Sequence, residues 1–105
     1  MTQRDIHGLW SIIQSNGFAC PVVVENFDSQ SGSFTLQAMQ SGSGAIQGAG
    51  NGSVNNDEVH FRINWDGGAK GQYDGTFDAQ GVIHGATFDV NNPSSSATWH
   101  SNKGF

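Results

Sequence analysis

Four histidines, one cysteine and nine carboxylates are the side chains with which this chain could move protons, attack an electrophile or hold a metal. His7, His60, His84 and His100 show neither the His-x-His nor the His-x-x-x-His spacing that brings two imidazoles onto one ion, so no metal site is expected. Cys20 runs directly into Pro21-Val22-Val23-Val24, a strand-like context, and reads as a buried thiol rather than a nucleophile. No serine has the flanking glycines of a nucleophile elbow. The glycine-rich "GSGAIQGAGNG", Gly42 to Gly52, lacks the Lys-Ser/Thr ending of a phosphate loop, the spacing of a dinucleotide fingerprint and a following helix. "WDGGAKGQYDG" carries Asp66 and Asp74 without the oxygen-rich spacing of a calcium loop. One acid–base pair is within reach, because His84 and Asp74 fall diagonally on one face of a hairpin. The expectation is a protein that is not an enzyme and uses no cofactor.

Binding chemistry has more material. Only 12% of residues are charged, so neutral amides, hydroxyls and glycines must carry the surface, and three Trp, seven Phe and one Tyr supply flat apolar faces. Aromatic rings can stack on a sugar while neutral amides bond its hydroxyls, which makes carbohydrate the leading ligand class. The candidate residues are Asn64, Trp65, Asp66 and Gly67 at the end of one strand, Tyr73 and Asp74 at the start of the next, and Trp99. With four Lys plus Arg against nine Asp plus Glu, and with Arg4, Arg62, Lys70 and Lys103 far apart, neither nucleic acid nor an anionic membrane is an expected partner.

These side chains need elements to hold them, and the chain reads as one all-β domain spanning residues 1–105. Alternation with period two recurs while no window keeps a helical apolar pattern with caps. Strands are expected at Ile6 to Gln14, Pro21 to Phe27, Ser33 to Gln40, Ala45 to Val54, Glu58 to Trp65, Gln72 to Phe77, Val82 to Val90 and Ala97 to His100. In "EVHFRINW", Val59, Phe61, Ile63 and Trp65 share one face and His60, Arg62 and Asn64 the other. Between the strands lie turn clusters such as "QSNG", "QSGSG", "VNND" and "FDVNNPSSS". With one cysteine the chain forms no internal disulfide, and "MTQRDIHGLW" has no apolar run of signal length, so a cytoplasmic location is expected. Outward apolar residues such as Leu9, Ile13, Phe88 and Val90 point to a homo-oligomer.

Three stretches read glycine, x, apolar, x, glycine: Gly44 to Gly48, Gly71 to Gly75 and Gly81 to Gly85. If Asp78-Ala79-Gln80-Gly81 is a type I turn closed by a glycine bulge, then Phe77 faces Ile83, Gly75 faces Gly85 and Tyr73 faces Thr87. The Gly75 and Gly85 pair would leave a gap floored by backbone, serving either barrel curvature or a ligand walled by Tyr73, Phe77 and Trp65.

"GLW", "FRINW", "KGQYDGTF" and "SSSATWHSNKGF" occur in an order and spacing that resembles the avidin and streptavidin family over most of the chain. The resemblance implies an eight-stranded up-and-down barrel, dimeric or tetrameric, holding biotin in its mouth; a β-sandwich is the alternative fold. By position, Trp10 matches the first-strand Trp, Trp65 a ligand-contacting Trp, Tyr73 the Tyr of the Gly-Gln-Tyr strand and Trp99 the Trp lent across a subunit interface. Where the family has a ureido-binding Asn and Ser, this chain has Ile12 and Asn16, and "IHGATF" lacks the penultimate-strand Trp. An avidin-like binder of a small, partly apolar ligand is therefore the second expectation, and a protein-interaction or inhibitor barrel the third.

Overall fold

The computed structural model describes residues 3–40 and 46–105. Eight antiparallel strands follow one another around a closed barrel: β1 (Gly8–Gln14), β2 (Ala19–Glu25), β3 (Ser33–Gln40), β4 (Ile46–Asn55), β5 (Glu58–Trp65), β6 (Lys70–Phe77), β7 (Val82–Asp89) and β8 (Asn92–Gly104). β1 completes the circle on β8 through Ile12↔Ser101, Ile13↔His100 and Gln14↔Trp99. That closure decides for the up-and-down barrel over a sandwich, and it leaves no sheet edge to protect.

The period-two pattern sorts the faces as expected in β5, where Val59, Phe61 and Ile63 are buried while His60, Arg62 and Asn64 are exposed. Room for those large inward side chains comes from β4, whose inward positions are Gly48, Gly50 and Gly52, opposite Trp65, Ile63 and Phe61. A Cβ at Gly48 would stand 2.8 Å from both the Ile63 side chain and the Trp65 ring, and one at Gly50 would land on the Arg62 carbonyl oxygen. Small residues on one strand thus admit large ones on the next, which is how a narrow barrel packs its interior. Within it Phe61 stacks on Tyr73 at 4.9 Å, and Trp99 meets both rings edge-on at 5.6 and 5.8 Å.

The turns follow the expected chemistry. Three turns open with Phe-Asp (Phe27-Asp28, Phe77-Asp78 and Phe88-Asp89), and in each the Asp Oδ1 accepts the backbone N–H two residues on, from Gln30 to Asp28, Gln80 to Asp78 and Asn91 to Asp89, each at 2.9 Å. Gly81 takes φ 78°, the bulge position of its turn. The β6–β7 register is the expected one, with Phe77↔Ile83, Gly75↔Gly85 and Tyr73↔Thr87.

Several boundaries differ. Ile6 precedes β1 and is fully buried, and Phe27 lies beyond β2 because Asn26 turns the chain at φ 54°. Lys70 and Gly71 already pair with β5, and Val90 belongs to the turn after β7. β8 starts at Asn92, not Ala97, so "NPSSS" is not a free turn. Its pairing with β7 jumps from Phe88↔Ser96 to Asp89↔Asn92, which lets residues 93–95 bulge out of the ladder. Proline, having no N–H to give, is tolerated in such a bulge. Gly44, Ala45 and the "QSGSG" cluster beyond Gln40 lie outside the described residues.

Candidate functional site

The two ends of the barrel differ. At the end carrying the β2–β3, β4–β5 and β6–β7 turns, both terminal segments are tied across the opening. The Gln3 N–H donates to the Ser29 carbonyl at 2.6 Å, the Arg4 guanidinium donates to the Phe105 carbonyl at 2.7 Å and lies 4.8 Å over the Phe77 ring, and Trp10 meets Phe105 edge-on at 5.3 Å. With Ile6 fully buried among them, this end is plugged.

The opposite end, carrying the β1–β2, β5–β6 and β7–β8 turns, holds a recess of about 180 Å³. That is well above the roughly 10–15 Å³ one water needs by the same measure, and enough to admit part of a small organic molecule. Trp65, Phe18, Phe88 and Ala97 give it apolar walls, Lys70 and Asp89 put one charge of each sign into its lining, and Gln14, Tyr73 and Thr87 bring neutral polar groups. The Tyr73 hydroxyl donates to Gln14 Oε1 at 2.7 Å, the Cys20 thiol approaches the same oxygen at 3.6 Å, and Gln14 Nε2 donates to Asn16 Oδ1 at 3.1 Å. Burial pushes the Cys20 thiol up to about 11 and raises the Tyr73 phenol as well, so this network is neutral at physiological pH.

Gly71 lines the recess where a larger residue would crowd its aromatic walls. A Cβ there would lie 2.9 Å from the Tyr73 ring and 3.5 Å from Trp65 Nε1. Trp65 in turn rests its ring on the bare backbone of Gly48.

Of the residues singled out in the sequence, the fold brings Trp65 and Tyr73 together in this recess. Asn64 is exposed on the outer face of β5, and Asp66 and Gly67 are exposed in the following turn. Asp74 also faces outward, where its Oδ1 bonds His60 Nδ1 at 2.7 Å and accepts from Gln72 at 3.0 Å. The proposed His84–Asp74 pair does not form, because His84 Nε2 lies 2.8 Å from Asp78 Oδ2 across the turn instead. Both His–carboxylate pairs are on the outer surface, away from the recess. The expected gap at Gly75 and Gly85 is filled: a Cβ on Gly75 would stand 2.8 Å from Ile83 Cγ2 and 3.0 Å from Trp99 Cζ2, and one on Gly85 would strike the Asp74 carbonyl. Trp99 itself is buried, its indole N–H donating to the Ala86 carbonyl at 3.0 Å. Gly75 therefore admits an aromatic ring and Gly85 a close approach of the neighbouring backbone, rather than a ligand.

Gln14, Phe18, Gly71 and the β8 bulge serine Ser95 line the recess without having been marked in the sequence. Gly71 stood in a repeated glycine motif, and that was its only signal. Among the outward apolar residues, Leu9 is 70% exposed, whereas Ile13, Phe88 and Val90 are half-buried; Val23 and Met39 are exposed beside it instead.

No protein-family model matches the chain, and no curated protein matches it in sequence. Solved structures match it in fold. The shared fold is the closed β-barrel. A redesigned β-barrel, b11L5F_LGL, aligns with TM-score 0.69 at 15% identity over 91% of this chain and 88% of that one. EF1p2_mFAP2b bound to DFHBI aligns at 0.66 and 14% identity over 91% and 90%, and the redesigned barrel mFAP1 bound to DFHBI at 0.65 and 16% over 91% and 92%. These likenesses support the β-barrel part of the avidin resemblance and nothing finer. The residues agree, since Trp10 sits at the plugged end and Trp99 in the core, leaving Trp65 and Tyr73 at the open mouth.

Proposed function

We propose that this protein is a non-catalytic barrel that takes one small, partly apolar molecule into the recess at its open end. The observation that carries the reading is the asymmetry of the barrel: one end is sealed by Ile6, Trp10, Phe77 and Phe105, while the other keeps a cup with apolar walls and a few convergent polar groups. Such cups, mostly apolar with sparse polar groups, are how small-molecule sites are built. Two of the structurally similar barrels are bound to DFHBI, a small molecule, which favours this reading over a sugar site. The carbohydrate reading also loses its cluster, because Asn64, Asp66, Gly67 and Asp74 do not reach the recess.

Thermal melting with DFHBI, biotin and glucose in separate arms tests it. A ligand present at a hundred times its Kd stabilises the fold by about 2.7 kcal/mol, a readily seen rise in Tm. The expected result is a rise with DFHBI or biotin that Trp65→Ala or Gly71→Val abolishes, and none with glucose. A rise with glucose alone, or one that both substitutions leave intact, overturns the proposal.

A further inference from the structure

The recess holds more information than its size, and it lies in the hydrogen bonds its lining leaves unmade. The chain has three indole N–H groups. Trp10 Nε1 donates to the Ile6 carbonyl and Trp99 Nε1 to the Ala86 carbonyl, each at 3.0 Å, whereas among the described residues Trp65 Nε1 has no acceptor. No fully buried side-chain nitrogen or oxygen among the described residues lacks a partner, so the half-buried Trp65 must show its N–H to open space. That edge of the ring lies over Gly71, in the lining of the recess. On β1, four strands around the barrel from β5, Gln14 presents a second donor. Its oxygen is taken by Tyr73 and approached by Cys20, and its nitrogen spends one hydrogen on Asn16. An amide nitrogen carries two hydrogens.

Trp65 and Gln14 thus bring donors to the lining of one small cup from different strands, beside the Lys70 ammonium. The charges lining the cup, Lys70 and Asp89, are opposite in sign. The lining therefore carries no net charge, and an occupant that accepts hydrogen bonds without carrying charge matches it.

Resting on the small-ligand reading above, we infer that the occupant is a flat, uncharged heteroaromatic of one or two fused rings with hydrogen-bond acceptors on separate edges, one meeting the Trp65 indole N–H and the other the second N–H of Gln14. Gln14 and Trp65 are then the residues that distinguish such a ring from a hydrocarbon of equal shape. A site built to donate rejects a ligand that cannot accept, because its donors lose water and gain nothing.

Naphthalene, quinoline and quinoxaline have one shape and carry zero, one and two ring nitrogens, which makes them the probes. Affinities are read by isothermal titration calorimetry at neutral pH, for the full chain and two variants. Gln14→Met keeps the length of the side chain but removes the amide N–H; Trp65→Phe keeps a ring but removes the indole N–H. Each variant is expected to lower quinoxaline affinity about threefold to tenfold while changing naphthalene affinity less than about twofold, with quinoline between. Should Gln14→Met not fold, Trp65→Phe alone carries the comparison. If all three probes bind and both folded variants change them in parallel, the small-ligand reading stands and the acceptor inference is overturned. If none of the probes, nor DFHBI, binds the unaltered protein, both fall together.

Discussion

Removing the Trp99 side chain tests what fills the centre of the barrel. Trp99 is 2% exposed, meets Phe61 and Tyr73 edge-on, stands over Gly75 and donates to the Ala86 carbonyl. Trp99→Ala takes the whole indole out of that position, and large-to-small changes of this kind cost about 3–5 kcal/mol through lost burial and the cavity left behind. Against a total stability of about 5–15 kcal/mol for a domain of this class, that is a large share, equivalent to a fall in Tm on the order of 15–30 °C. Trp99→Phe keeps most of the ring contact and loses the Ala86 bond, so it should cost less, about 1–2 kcal/mol. The glycine beneath supplies the second half of the test. Gly75→Ala pushes a methyl group against Trp99 Cζ2 and Ile83 Cγ2, an overpacking worth about 1–3 kcal/mol, and part of that penalty must vanish once Trp99 is alanine. Urea unfolding of the two single variants and the double variant, with unchanged m values, reads the coupling directly, and about 0.5–1 kcal/mol is expected. A loss below about 1.5 kcal/mol for Trp99→Ala, or strict additivity in the cycle, would show that Trp99 does not occupy the space over Gly75.

Two further outcomes follow from titratable groups. Cys20 is fully buried with its thiol raised to about 11, so a thiol reagent at mild pH should label it only at the rate of unfolding, and labelling at the rate of a free thiol refutes the placement. Because the folded value lies above the ordinary 9.0, the thiol's contribution is full below pH 9.0 and is lost as pH rises towards about 11, which should appear as a falling Tm across that window. Asp78 behaves oppositely: against a desolvation cost, the Val82 N–H, the His84 ring and the Gln80 N–H hold its carboxyl below the ordinary 3.8. Its contribution is present above pH 3.8 and lost as pH falls through the lowered folded value, so Asp78→Asn should flatten the acid side of a Tm-against-pH curve, and an unchanged slope refutes the linkage.

Much of the scaffold was legible along the chain because its causes are local. Period-two alternation told which side of β5 faces inward, and the Asp78 to Gly81 turn set the register that places Gly75 opposite Gly85. Positions 93–95 were misread as a turn because their composition is that of a turn, whereas their bulge depends on the pairing of Asn92 and Ser96 with β7. The pairing of histidines with carboxylates was misassigned for a similar reason: Asp74 had two neighbouring strands to choose between, and His60 on β5 took it rather than His84 on β7.

What the amino-acid sequence determined by itself was the class of element, the direction the β5 side chains face and the register of the β6–β7 hairpin, all consequences of backbone geometry and turn chemistry over a few residues. The tertiary structure alone decided that Trp99 from the last strand covers Gly75, that residues near both termini seal one end, and that Gly71 rather than Gly75 lines the recess. Each of these depends on β1 closing onto β8 and on which side chains from strands distant in sequence then share the narrow interior, a competition for volume that no local pattern records.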